Sequence, residues 1–178
     1  MEKVVTFFDF ANINAPARKN CVRLDYRHLL DYLSCDRFLI DAHAYVPIDP
    51  RNEHGLDATI DELWRAGFLV HSKVGSIAGE TFKCNVDVEM AIDILNIAHT
   101  VKPDIIVIAS GDGDMLPIVH ALRKMGIRVE VASFESCISR KLALQASGFI
   151  SLDRYIEEAN QDQGQAEYDF EESLPAVE

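Results

Sequence analysis

The sequence predicts an α/β fold of three layers, with helices on both faces of a central parallel sheet of about five to six strands. Three observations carry this. Strand-like and helix-like stretches alternate along the chain, the order that right-handed parallel crossovers produce. Ile105 to Ala109 is wholly apolar and mostly β-branched, which suits a strand buried on both faces. Lys3 to Asp9 (KVVTFFD) is a second such run, and both runs lead into acidic residues.

Taken in order, residues 3–9 form the first strand, and Asn12, Asn14 and Pro16 mark a loop after it. Residues 24–33 read as a helix, with Leu29, Leu30 and Leu33 on one face. Residues 38–46 alternate loosely and stop at Pro47, as a strand entering a loop does. In residues 55–66, Leu56, Ile60, Leu63 and Trp64 recur at helical spacing, and Gly67 stops the helix. A strand over 68–74 then gives way to an expected flexible loop over 75–83, GSIAGETFK.

Residues 85–99 give the longest helix signal, with Asn85 as the expected cap and Val88, Ala91, Ile92, Leu95 and Ala98 as the expected core stripe. Asp87 shares the angular sector of Met90, Ala91, Ile94 and Ala98, so a carboxylate stands at the start of a mostly apolar face. After the strand at 105–109 come a helix over 116–125 closed by Gly126, a strand over 128–133, a helix over 137–145 closed near Gly148, and a short strand over 149–152. There are no internal repeats.

Residues 1–156 are expected to form one domain and 157–178 an acidic, disordered tail. The net charge is −12, but eight of the 29 acids fall in 157–178, which carries no Lys or Arg. The first 156 residues therefore hold 21 acids against 17 bases, which argues against a broad non-specific DNA-binding surface and leaves room for a local basic groove. No apolar run approaches the ~20 residues of a membrane span, and MEKVVTFFDF enters a strand without the pattern of a signal peptide. Cys21, Cys35, Cys84 and Cys137 form no CxxC pair and have no His at zinc spacing, so they read as reduced thiols of a cytoplasmic protein.

The candidate site is read from the acids. Ser110-Gly111-Asp112-Gly113-Asp114 follows the central strand; its glycines are expected to turn the chain sharply and leave two carboxylates two residues apart. The C-terminal edge of a parallel sheet is where ligands bind. Two acids there without a basic residue between them repel, and a divalent cation relieves the repulsion. If the first and central strands are neighbours, Asp9 meets Asp112 and Asp114 across one strand spacing, about 4.8 Å. Asp87 then completes the cluster. Around it, Asn12, Ser110, Lys83 and Asp93 are candidate supporting residues. Arg18, Lys19, Arg140 and Lys141 are the candidate backbone-binding residues of the rim, and Phe10 is a candidate for stacking on a base. His28, His71 and His120 have no partners at catalytic spacing.

Three blocks, FFDFANI, KCNVDVEMAIDIL and IVIASGDGDMLPIVHALRKMGIRVEVASF, resemble those of the LabA-like NYN domains within the PIN-like nuclease superfamily. The resemblance covers about residues 3–152. It implies a PIN-like three-layer αβα fold and a carboxylate site for Mg²⁺ or Mn²⁺. It implies cleavage of RNA phosphodiesters with Asp9, Asp87, Asp112 and Asp114 as metal-site and catalytic acids and Asn12 in support. Two positions depart from the family pattern, Phe10 and Cys84 standing where glycine is common.

The functional expectation is a Mg²⁺- or Mn²⁺-dependent endoribonuclease acting on single-stranded RNA, since no helix looks built for the major groove. The alternative is a metal- and nucleic-acid-binding regulatory module of the same fold that does not cleave. A phosphatase of the haloacid dehalogenase type needs a second Asp two residues after the first, where this chain has Ala11. A Toprim-like site needs Glu on the first strand. A homodimer through an edge element remains open.

Overall fold

The computed structural model describes residues 1–159. Six parallel strands form the central sheet in the order β3-β2-β1-β6-β7-β8. They are β1 (Lys3–Asp9), β2 (Phe38–Ile48), β3 (Leu69–Val74), β6 (Ile105–Ala109), β7 (Arg128–Ser133) and β8 (Gly148–Ser151). The chain winds outward from β1 to one edge, returns, and winds outward from β6 to the other. The winding reverses between β1 and β6, which pair directly with Phe8 opposite Ala109. A crevice at the C-terminal ends of the strands follows from this reversal.

Strand alternation divides the core in two. Val4, Phe8, Ile105 and Val107 face a layer made of α1 (Phe10–Lys19), α2 (Tyr26–Ser34), α3 (Asp57–Ala66) and the helical residues 152–159. Val5, Phe7, Ile106 and Ile108 face α4 (Asp87–Thr100), α5 (Leu116–Lys124) and α6 (Arg140–Gln145). All five residues of β6 are fully buried, as expected of a strand covered on both faces. The three layers and the six-strand sheet are those the sequence predicts.

Several local expectations need correction. The loop expected after β1 is α1, with Asn12, Asn14 and Pro16 inside it. Asp9 caps this helix by accepting the Asn12 N–H, and Phe10, Ile13 and Ala17 bury one face at helical spacing, so packing overrides the turn-forming composition. Phe10 is therefore core and not a stacking surface. Residues expected as a loop before α4 form a two-stranded hairpin, β4 (Ser76–Ala78) with β5 (Thr81–Lys83), turned at Gly79 with φ +66°. Asn85 does not cap α4; Val86 holds that position without a side-chain bond. The buried face of α4 is Met90, Ile94 and Ala98, while Val88 and Ile92 of the expected stripe are each 53% exposed. Gly67 and Gly126 do end α3 and α5, at φ +105° and +80°. The helical residues 152–159 run three residues past the expected domain boundary, and the expected acidic tail lies, from residue 160 on, outside the described residues.

One buried charge is absent from the sequence reading. Glu130 in β7 is 3% exposed and accepts two hydrogen bonds from the Arg37 guanidinium, at 2.7 and 3.1 Å. Arg128 adds a third contact at 3.0 Å.

Candidate active site

Asp9 ends β1 on the α4 side of the sheet, two residues beyond Phe7. It is 4% exposed. Its two oxygens are held separately: Oδ1 accepts the Asn12 N–H at 3.1 Å and Oδ2 accepts the Ser110 hydroxyl at 3.1 Å. The Ser110 oxygen in turn accepts the Asp112 N–H at 3.2 Å. Asn12 Oδ1 accepts the Gly111 N–H at 2.8 Å. Two of these hydrogen bonds, Ser110 to Asp9 and Gly111 to Asn12, tie the end of β1 and the first turn of α1 to the loop after β6, and the other two are local to each segment. Ser110 and Asn12 act as the ties between the two chain segments.

Asp112 caps a single 3₁₀ turn, Gly113–Met115, by accepting the Asp114 N–H at 2.9 Å on Oδ1. Its Oδ2 is not used in that cap. Asp114 is exposed at the front of the turn. The glycines of this loop are explained by crowding. Neither Gly111 nor Gly113 has positive φ among the described residues. A Cβ on Gly111 would stand 2.6 Å from Ser133 Oγ and 2.7 Å from the Cys137 carbonyl oxygen, so the chain passes too close for any side chain.

Asp87 opens α4, half-buried, across the crevice. The four acids feel one another. Burial, with a further push from Asp87 and Asp112, raises the Asp9 carboxyl to about 6; the Asn12 N–H and the Ser110 hydroxyl oppose it. Burial and the charges of Asp112 and Asp114 also raise Asp87 above the ordinary carboxylate value. Among the described residues no three His, Cys, Asp or Glu side chains close into a ready-made metal cage. The donor set is all oxygen and carries uncompensated negative charge. Such a set fits a hard ion of the Mg²⁺ or Mn²⁺ kind, which keeps much of its water shell and takes only one or two carboxylates directly.

The remaining candidates separate into two groups. Arg140 and Lys141 open α6 beside the acidic loop, because the Ser139 N–H donates to the Gly111 carbonyl at 2.9 Å. Lys83 is exposed at the end of the hairpin, four residues before Asp87. Arg18 and Lys19 lie at the far end of α1, about 14 Å along the helix axis from Asp9. Asp93 is about one and two-thirds turns along α4 from Asp87 and accepts the Tyr45 hydroxyl at 2.8 Å, so its contact is with β2.

Tyr45 and the His43–His71 pair escaped the sequence reading. Phe7, His43, His71 and Tyr45 stack in series, with ring centroids 5.1, 5.3 and 4.7 Å apart. Burial lowers the His43 imidazole, with His71 adding to the effect. The signal was parity: His43 and Tyr45 occupy the same face of β2 as Phe7 and Asp9 do of β1, legible only once the two strands are known to pair.

The NYN domain family model matches residues 3–153. The chain is 28% identical over 160 residues to the low amplitude and bright protein LabA of Synechococcus elongatus, covering 84% of this chain and 83% of that protein. Among solved structures, a Vibrio parahaemolyticus protein of unknown function, VPA0982, superposes with a TM-score of 0.70 at 22% identity, covering 84% of this chain and 92% of that one; it shares the fold. No helix among the described residues is long and apolar enough to cross a membrane.

Proposed function

This chain belongs to the NYN domain family of the PIN-like nuclease superfamily, and from that premise we propose that it hydrolyses phosphodiester bonds of single-stranded RNA at the β1–β6 edge. The observation that carries the reading is Asp9, a buried carboxylate pushed up to about 6, with Asp87 and Asp112 near enough to raise it further. A protein keeps such a strained set of charges where a ligand resolves it.

Asp9, Asp87, Asp112 and Asp114 are the residues that would hold Mg²⁺ or Mn²⁺. The bound ion supplies a lowered pKa for water and charge neutralisation at the phosphoryl oxygens. The chain supplies order. Asn12 and Ser110 each fix one oxygen of Asp9, so its carboxylate cannot turn away from the crevice. Asp112 commits Oδ1 to its own turn and offers Oδ2 to the ligand. Asn12 has its Oδ1 occupied and leaves Nδ2 as a donor for a phosphoryl oxygen. Arg140, Lys141 and Lys83 flank the carboxylates and take the phosphates on either side of the scissile bond. Arg18 and Lys19 meet the strand farther out. No serine, cysteine or histidine nucleophile is required.

The test is cleavage of a labelled single-stranded RNA pool with Mg²⁺, Mn²⁺ or EDTA, beside Asp112→Asn. Cutting that needs the ion and disappears in the variant is the expected result. Retention of RNA binding without product, with the ion still bound by calorimetry, assigns a non-cleaving module instead. No ion binding at all removes the carboxylate-site reading.

A further inference from the structure

Asp87 sits wherever α4 is seated. Met90, Ile94 and Ala98 are its buried residues, and its N-terminus has no side-chain cap. Two polar contacts from the sheet reach the helix. The Lys73 ammonium in β3 meets Glu89 at 2.6 Å and the Asn85 carbonyl at 3.2 Å. Tyr45, fully buried in β2, donates its hydroxyl to Asp93 at 2.8 Å. Lys73 and Glu89 are each about half exposed, so the tyrosine contact is the better shielded of the two.

Tyr45 stands opposite Asp9 in the β1–β2 register. His71 stacks on the Tyr45 ring within 8° of parallel, which keeps the phenol from tilting. One ladder of strands therefore holds Asp9 directly and reaches α4 through the phenol. We infer that Tyr45, acting through Asp93, is a positioning residue that sets Asp87 against Asp9 across the crevice. This rests on the carboxylate site proposed above.

The geometry makes the contact consequential. A turn of about 10° around the helix axis moves a side chain carried about 5 Å from it by close to 1 Å. Metal–ligand distances tolerate about 0.2 Å. Burial also holds the Tyr45 hydroxyl far above the ordinary phenol range, so it remains a donor at any working pH.

The experiment compares full-length wild type, Tyr45→Phe, Asp93→Asn and Asp93→Ala by Mn²⁺ calorimetry and by amide hydrogen exchange in α4. Tyr45→Phe and Asp93→Ala are expected to bind Mn²⁺ about tenfold or more weakly and to exchange faster in the first two turns of α4. Asp93→Asn keeps a carbonyl acceptor for the phenol and is expected to stay close to wild type. Unchanged Mn²⁺ affinity in Tyr45→Phe overturns the inference. So does a loss in Asp93→Asn that Tyr45→Phe does not share, since Asp93 then acts by its charge. If Tyr45→Phe does not fold, Asp93→Ala decides. If wild type binds no Mn²⁺, the metal reading falls, and the exchange data alone decide the role of Tyr45: faster exchange supports it and unchanged exchange overturns it.

Discussion

Replacing Asp9 by Asn should stabilise the metal-free protein at pH 7 while abolishing its affinity for the ion. The folded-state carboxyl titrates at about 6, against 3.8 for the free group, a gap of roughly two pKa units. A carboxyl raised on folding holds its proton more tightly in the native state. Stability therefore falls as pH rises from about 3.8 to about 6, and the penalty is complete above that. At 1.36 kcal/mol per unit this amounts to about 3 kcal/mol, with little solvent screening because Asp9 is 4% exposed. Asparagine removes the charge and keeps one acceptor for the Asn12 N–H. Its amide then faces the Ser110 oxygen, which accepts. The net gain expected at pH 7 is about 1–3 kcal/mol, shrinking to nothing near pH 3. Urea denaturation of both proteins at pH 3, 5 and 7 measures it. Mn²⁺ should raise the midpoint of wild type at pH 7 and leave the variant unmoved. A variant less stable than wild type at pH 7, or a difference independent of pH, would refute the electrostatic account of the site.

Gly111→Ala should destabilise by about 1–3 kcal/mol in thermal unfolding and weaken Mn²⁺ binding, because the added carbon meets Ser133 and the Cys137 carbonyl and shifts the loop bearing Asp112. Arg37→Ala should cost about 3 kcal/mol by leaving Glu130 buried with only the half-exposed Arg128, whereas Arg37→Met combined with Glu130→Leu should recover most of it in the same denaturation assay. Arg140→Ala should weaken binding of single-stranded RNA of any sequence and lower the salt slope of log K by about 1, read by anisotropy between low and moderate salt. Gly126→Ala, at φ +80°, should lower stability by about 1–2 kcal/mol without touching ion affinity.

The layers and the carboxylate edge were legible because they rest on periodicity and on strand ends. Ile105 to Ala109 suits a strand covered on both faces, and two such strands ending in acids pointed to their common edge as the candidate site. What was hidden depended on pairing. Asn12 looks like a turn residue, and only the contact between α1 and the β6 loop reveals it as a tie to Gly111. Helix α1 did carry a signal, since Phe10, Ile13, Asn14 and Ala17 recur at helical steps, but Pro16 and the two asparagines spoke louder. On α4 the apolar residues surround much of the helix, so periodicity alone left the buried face ambiguous between Met90–Ile94–Ala98 and Val88–Ile92. Gly111 was singled out as a turn former, whereas its crowding by Ser133 and Cys137 is a tertiary fact that the sequence does not carry.

The hydrogen bonds that assemble the site join residues 99 and 101 positions apart, Asn12 to Gly111 and Asp9 to Ser110. Asp9 is translated about a hundred residues ahead of Ser110, its neighbour in space. Until β6 docks beside β1, Asp9 has the local Asn12 N–H but lacks the Ser110 hydroxyl and the nearby charge of Asp112. Closing so long a loop is entropically costly, and the packing of β1 against β6 must outweigh that cost before the site is complete. The same distance imposes a limit on fragments: no N-terminal piece that stops short of the acidic loop after β6 holds a working site, however well its helices and first strands associate.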